Sequence, residues 1–376
     1  MKKPIRLISV SDIHLGNRLV PAPIIADNFR RYVFPYIAKC DILVIGGDLT
    51  DTAIGWDDTH ANAILAFYFD LLAWCSHYDV TVFLLRGTFS HDRKQLSMLP
   101  LMHEKHKFKN ELAYFDKVSL HTHKRSGTRF VFLPDDLPYG SSDEVLDVVA
   151  QQMRAASWDY VDYVCAHGFF DHVLPPVAHG HQRIVYRRSQ FPFVRRYILV
   201  GHEHTASMVD RVIYNGSFDR LTHNDETTKG FNYIEDDGKD ATIQFVENKD
   251  ATTFRTLDLS GISDATAVLD QYVHVASALT DTHRTHHLRI LHPSRDVISA
   301  VVSLTAKDYP HIRLTHKLVT VLDEHKKEKR VTRLVLDPPT PENLPKMVSE
   351  YILRTKGTLT LTEEQIRKRL LELTES

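Results

Sequence analysis

Cysteine is scarce in this sequence. The chain of 376 residues has three, Cys40, Cys75 and Cys165. That is too few for a disulfide framework, and each lies among apolar neighbours, so buried thiols in a reducing compartment are expected. No Cys-x-x-Cys pair occurs, which excludes a zinc ribbon. No apolar run reaches the roughly 18 residues of a spanning helix, so no membrane segment is expected. The opening MKKPIRLISV carries two lysines but only a short apolar stretch, and reads as a first strand rather than a secretion signal. The expected location is therefore cytoplasmic. Charge of one sign is missing too: 46 Lys+Arg against 48 Asp+Glu leave a formal net charge of −2. Any nucleic-acid binding must then rest on local patches. Internal repeats and low-complexity segments are absent.

What remains is an ordinary globular composition, 43% hydrophobic and 25% charged. The length predicts two domains plus an extension. Short apolar runs at 5–10, 41–47, 80–85, 129–133, 160–165 and 197–200 read as strands followed by polar or glycine-containing loops. Stretches 59–77 and 142–156 have helical spacing, so the expected class is α/β, with sites in the loops after strand ends. From residue 207 the pattern turns more purely β, with Asp236-Asp237-Gly238 as a hairpin turn. A boundary falls near 258–265. Beyond it a helix is expected at 264–279, a strand at 287–291, a helix at 294–306, and strands at 311–315 and 331–336. Asp337-Pro338-Pro339-Thr340-Pro341 is a stiff break. Two amphipathic helices follow it, the first carrying Leu344, Met347, Val348, Tyr351 and Ile352 at helical spacing.

The one unusual abundance is histidine, 23 residues, the commonest metal-ligand type. Five of the loops carry ligand-type residues: Asp12-Ile13-His14, Gly47-Asp48, His91-Asp92, His167-Gly168 and Gly201-His202-Glu203-His204. Each element is weak alone, but the ordered set at predicted strand ends is specific. Carboxylates and imidazoles suit Mn²⁺, Fe²⁺ or Zn²⁺. A carboxylate can bridge two cations about 3.5–4 Å apart, the spacing of two-metal hydrolases.

This set resembles the calcineurin-like metallophosphoesterase superfamily, with its D-x-H, G-D, G-N-H-D/E, H and G-H-x-H pattern, over residues 5 to 235. VSDIHLG, IGGDLTD, VGHEHT and IYNGSFDRL…KGF resemble its Mre11/SbcD group of DNA-repair nucleases. The resemblance implies a metallophosphoesterase β-sandwich flanked by helices over 1–260 and a small α+β capping domain over 261–337 that binds DNA. It further implies a helical segment over 338–376 that docks on an SMC-like ATPase of the Rad50/SbcC type. It implies a dinuclear centre, with Mn²⁺ the expected cation. Asp12, His14 and His204 would hold the first ion, His167 and His202 the second, and Asp48 would bridge. His91 would assist catalysis from outside the ligand set, oriented by Asp92. The implied activity is a Mn²⁺-dependent exo- or endonuclease acting on double-stranded DNA ends or hairpins, and the implied assembly is a homodimer.

One departure from the pattern lies in Gly87-Thr88-Phe89-Ser90-His91-Asp92. Counting back from His91, Ser90 takes the place of the family's Asn ligand of the second ion, and a hydroxyl is a poorer ligand than an amide. Two other readings stay open: a small-molecule phosphodiesterase or phosphatase of the same superfamily, and a DNA-end scaffold whose second ion site has decayed. Asp51 reads as a loop-capping residue. Glu203 is expected beside the ligands or solvated, and Asn215-Gly216-Ser217 as a turn. Arg183, Arg187, Arg188, Arg195 and Arg196 lie with Tyr186 and Phe191; Arg187, Arg188 and Arg195 are candidate DNA contacts. Lys326, Lys327, Lys329 and Arg330 read as an exposed hairpin tip. His121, His123, His283, His286 and His287 read as surface residues. His179 and His181 are a weaker candidate metal pair.

Overall fold

The computed structural model describes residues 4–55, 58–174, 184–281 and 285–319. Along the chain, β1 (Ile5–Val10) leads through a loop to α1 (Ala22–Tyr32) and the single turn α2 (Phe34–Ile37). Next come β2 (Ile42–Ile45), α3 (Ala61–His77) and β3 (Thr81–Leu85). A one-turn α4 (Phe89–Asp92) and α5 (Met98–Lys105) precede β4 (Leu112–Phe115), β5 (Ser119–Thr122) and β6 (Arg129–Leu133). After α6 (Ser142–Ala155) follow β7 (Tyr163–His167), β8 (Phe169–Phe170), β9 (Val185–Tyr186) and β10 (Ile198–Gly201). Then come β11 (Ser207–Val209), β12 (Val212–Tyr214), β13 (Gly230–Asp236) and β14 (Ala241–Glu247). The described chain ends with β15 (Phe254–Asp258), α7 (Ala265–Ser277), β16 (His286–His292), α8 (Arg295–Asp308) and β17 (Ile312–Leu318). The class is mixed α/β.

Two six-stranded sheets dominate, in the orders β14-β13-β1-β2-β3-β4 and β11-β12-β10-β7-β6-β5. Strands β1 to β4 run parallel in the first, and β6, β7, β10 and β12 in the second. Parallel strands are covered on both faces and read as continuous apolar runs. Alternate residues here serve two cores. Leu7, Ile42, Val44 and Phe83 of the first sheet meet Phe130, Phe132, Tyr163 and Leu199 of the second. Ile8, Leu43 and Val82 face outward onto Ile25 and Phe29 of α1 and Phe67 and Leu71 of α3. Val131 and Val164 face outward onto Val145, Val149 and Met153 of α6. Each fully buried side chain of this size contributes about 1.5–3 kcal/mol. The layers are helix, sheet, sheet, helix.

Helix α6 starts where Ser141 Oγ accepts the Glu144 amide at 3.3 Å while Glu144 Oε2 accepts the Gly140 amide at 2.9 Å. A third sheet, β15-β16-β17, carries α7 and α8 over its own core of Val268, Tyr272, Leu288, Ile290 and Val301. Its first strand begins at Phe254. Helices α1 and α5 and strands β4, β5 and β15 were not expected from the sequence. The strand expected at 331–336, the break at 337–341 and the helices over 338–376 lie outside the described residues. So do His179, His181, Arg183, His283, Lys326, Lys327, Lys329 and Arg330. Among the described residues no helix is long and apolar enough to cross a membrane.

Candidate metal centre

Because β1, β2, β3, β7 and β10 run parallel within their sheets, the loops that follow them gather at one end of the two-sheet body. The loops interlock through the backbone. The Asp12 amide donates to Gly47 O at 3.0 Å, and those of Ile13 and His14 donate to Asp48 O at 2.9 and 3.0 Å. Four candidate ligands have left-handed backbones, with φ of 52° at Asp12, 52° at His14, 51° at Asp48 and 92° at His202. Such conformations cost about 1–3 kcal/mol each and collect at functional sites. Gly47 has φ +97°, and a Cβ there would strike the His167 ring. A Cβ on Gly87 would strike the Asp48 carboxylate. Close loop packing thus requires glycine at both places.

Two triads of ligand atoms result. Asp12, His14 and His204 bring theirs within 4.8 Å of one another, as do Asp48, His167 and His202. In the first triad the His202 amide donates to both oxygens of Asp12 at 3.0 Å, tying the β10 loop to the β1 loop. His204 Nδ1 faces Asp225 Oδ2 at 3.3 Å, which sets the tautomer and leaves Nε2 for a ligand. The His14 ring is buried and neither nitrogen has a hydrogen-bond partner. Its Nδ1 lies 3.1 Å from Asp51 Oδ1, close enough for an ion pair but not aligned for a hydrogen bond. Burial disfavours charge on His14, yet Asp51, Asp48 and Asp12 together raise its pKa.

In the second triad His167 Nδ1 donates to Gly46 O at 2.8 Å, so Nε2 is the free nitrogen. That nitrogen lies 3.3 Å from Asp48 Oδ2 and 3.2 Å from His202 Nδ1. Lone pairs converge there, and a proton or a cation must reconcile them. Burial opposes charge on His167, but Asp48 outweighs it and raises the pKa to about 10. Burial would also raise Asp48, but His167 and His14 hold its carboxyl well below the usual range. Asp48 Oδ2 is 3.8 Å from His14 Nε2, which places this carboxylate between the triads. These buried groups of carboxylate oxygen and imidazole nitrogen, with orphaned ring nitrogens among them, fit a divalent cation.

The structure corrects two expectations in the β3 loop. Ser90 is exposed on α4, away from the position of a ligand. Thr88, not Ser90, lies against the second triad. Its amide donates to Asp48 Oδ1 at 2.7 Å, and its Oγ1 lies 3.2 Å from Asp48 Oδ2, 3.4 Å from His167 Nε2 and 3.3 Å from His202 Nδ1. Counting forward from Gly87, rather than back from His91, would have found it. The second correction is Asp92, which does not orient His91. Its carboxylate accepts the amides of Gly87 at 2.8 Å, Asp48 at 2.9 Å and Thr50 at 3.2 Å, stapling two site loops together. Burial and the nearby Asp48 charge push it up to about 6. His91 is positioned instead by the Asp51 carbonyl, which faces its Nδ1, and its ring centroid is 4.8 Å from that of His14.

Asp51 is therefore part of the site, not only a loop cap. His14, Asp51 and His91 form a third group of ligand-type atoms. Asp225 and the fully buried Lys229 were not expected either. Lys229 Nζ donates to His204 O at 2.7 Å and lies 3.8 Å from Asp225 Oδ1. Asp225 stands 21 residues past His204, so no spacing signalled it. Asn215 is buried and accepts from Asn232 at 3.0 Å, and Ser217 donates its amide to His204 O at 3.1 Å. Glu203 accepts the Thr205 amide at 3.2 Å.

The candidate DNA-binding arginines are already partnered. Arg187 pairs with Asp143 at 3.3 Å, Arg188 with Asp210 at 2.6 Å, and Arg196 with Asp236 at 3.1 Å. Arg195 lies over the Tyr160 ring. His123, His286 and His287 are buried, not on the surface as expected. All three cysteines are free and buried.

No family model matches this sequence, and no curated protein does. One solved structure aligns over 65% of this chain and 99% of its own length, at 10% identity and a TM-score of 0.33. So loose a likeness carries no argument about function.

Proposed function

We propose that this chain is a dinuclear-metal phosphodiesterase that cleaves DNA. The observation that supports the reading most is the pair of buried triads with Asp48 between them. Two divalent cations, Mn²⁺ in this proposal, would neutralise phosphate oxygens and lower the pKa of an attacking water. Asp12, His14 and His204 would hold one ion; Asp48, His167, His202 and the Thr88 hydroxyl would hold the other. His91 stands beside His14 of the first triad with Nδ1 engaged by the Asp51 carbonyl. Its Nε2 is then the atom that stabilises the transferring phosphoryl group or protonates the leaving oxygen. Asp225 and the Gly46 carbonyl fix the rings of His204 and His167 so that no reorientation is needed when substrate arrives.

The finer parts of the proposal come from the sequence resemblance. They are a metallophosphoesterase sandwich, DNA ends or hairpins as substrate, a homodimer in the cytoplasm, and an SMC-like ATPase partner bound through 338–376. Cleavage of end-labelled linear duplex by the purified chain, with Mn²⁺, Mg²⁺ or EDTA, tests the activity. Mn²⁺-dependent cleavage should fall about 10²- to 10⁴-fold in His91→Ala. Hydrolysis of a chromogenic diester without cleavage of DNA would replace the nuclease by a small-molecule phosphodiesterase. Thr88 in place of an amide ligand is the feature that favours the scaffold reading. DNA binding with no turnover in any divalent cation would establish it.

A further inference from the structure

Arg187, Arg188 and Arg195 are paired with acids or stacked on a tyrosine, but among the described residues two cations shortly after Thr88 in the chain, Arg93 and Lys94, form no ion pair. Immediately after Thr88, whose hydroxyl sits in the second triad, the Phe89 side chain is 48% exposed. Among the described residues its ring meets no other aromatic ring. Arg93 and Lys94 follow, both exposed, and neither forms an ion pair among the described residues. Arg93 has φ 45°, a left-handed conformation that is rare for a long side chain, and its amide donates to Phe89 O at 3.1 Å. Phe89, the first residue of α4, and Arg93 and Lys94 just past its end thus place an exposed aromatic ring and two exposed cations, unpaired among the described residues, within one six-residue segment. A second aromatic, the half-buried Phe169, packs edge-on against His202 with centroids 4.3 Å apart.

We infer that the segment Phe89–Lys94 is a contact surface for a single nucleic-acid strand, with Phe89 as a base-stacking platform and Arg93 and Lys94 as phosphate contacts. The substrate class rests on the nuclease reading above; the surface itself rests on this segment's own geometry. Exposed aromatic rings beside cations accept any base by its π-face, while the cations follow the backbone. A base stacked on Phe89 would place its neighbouring phosphate near Thr88 and the triads. The segment therefore selects a nucleotide chain over a small diester.

The test is binding of a fluorescent 12-nucleotide single-stranded DNA to the full chain in Ca²⁺, read by anisotropy across a salt series. Phe89→Ala should weaken binding about tenfold, and Phe89→Trp should restore it. Arg93→Gln and Lys94→Gln should each flatten the salt dependence by about 0.7 in the logarithmic slope, the loss of one phosphate contact to a single strand. A second measurement is the ratio of oligonucleotide cleavage to chromogenic-diester cleavage in Mn²⁺, which should fall in Phe89→Ala. Unchanged affinity and salt slope in all three variants, beside an active wild-type nuclease, would overturn this inference and leave the nuclease reading standing. A wild-type chain that hydrolyses the small diester but neither binds nor cleaves the oligonucleotide would overturn both.

Discussion

His167 and His123 are equally buried, 2% and 1% exposed, yet their surroundings drive them in opposite directions. His167 faces the Asp48 carboxylate and the His202 ring, and its pKa is raised to about 10. His123 faces hydroxyls instead, Ser126 Oγ at 2.7 Å and Thr81 Oγ1 at 3.1 Å, and burial lowers its pKa to about 4. His287 belongs with His123: it stacks on Phe254 at 4.4 Å and burial lowers it to about 4. In a chain with 23 histidines, burial alone does not distinguish a ligand from a packing residue. What faces the ring does. Carboxylates and a second imidazole converging on one nitrogen mark a place for positive charge, whereas hydroxyls mark a neutral, satisfied ring.

Removing the carboxylate should have the largest effect. Asp48→Ala should weaken cation binding at both triads and lower diester hydrolysis by more than about 100-fold, measured by Mn²⁺ titration and steady-state rates. The matching change on the other side is His123→Ala. It removes the ring that Ser126 Oγ and Thr81 Oγ1 face, although Ser126 keeps Thr128, and opens a cavity, and should cost about 2–4 kcal/mol by denaturant unfolding with no change in Mn²⁺ stoichiometry. Asp225→Ala should weaken the first ion about 10- to 100-fold while sparing the second, because it removes the acceptor that holds the His204 ring without touching the His167 triad. Thr88→Val should weaken the second ion by up to about tenfold, the worth of one polar contact, and Thr88→Asn should tighten it. The smallest effect is on stability against pH. The folded forms of His123 and His287 refuse protons that the unfolded chain accepts. The contribution of these two residues to stability should therefore be full above about pH 6.5 and decline as pH falls towards 4, followed by melting temperature, whereas that of His167 is present below about pH 6.5 and lost as pH rises towards 10. His123→Gln should flatten that decline.

The same contrast explains how much of the centre was legible in the sequence. Asp12, His14, Asp48, His167, His202 and His204 each stand at the end of an apolar strand run, so strand periodicity and residue type were enough to bring them forward. Their grouping into two triads was expected only from the family resemblance, because it depends on how two sheets bring their loops together, which periodicity does not encode. Thr88 was hidden by counting from the wrong end of a six-residue loop. Asp92 was assigned to its sequence neighbour His91, but a buried carboxylate goes where unpaired amides are, and the loops of Asp48 and Gly87 supply three. Asp225 and Lys229 reach His204 only through tertiary packing. The core strands were legible because both faces are apolar. Strands β4 and β5, at or near sheet edges and only partly buried, carry a weak pattern, and so does β15. His123, His286 and His287 read as surface because a polar residue in a polar stretch gives no sign that hydroxyls, carbonyls or rings will enclose it.

The central claim is that the two triads bind two divalent cations. Mn²⁺ titration of the purified chain, with free ion counted by electron paramagnetic resonance, tests it most directly. The account predicts two ions bound per chain, falling to at most one in His167→Ala with the protein still folded. A wild-type chain that binds no Mn²⁺, or a His167→Ala chain that binds as the wild type does, would contradict it.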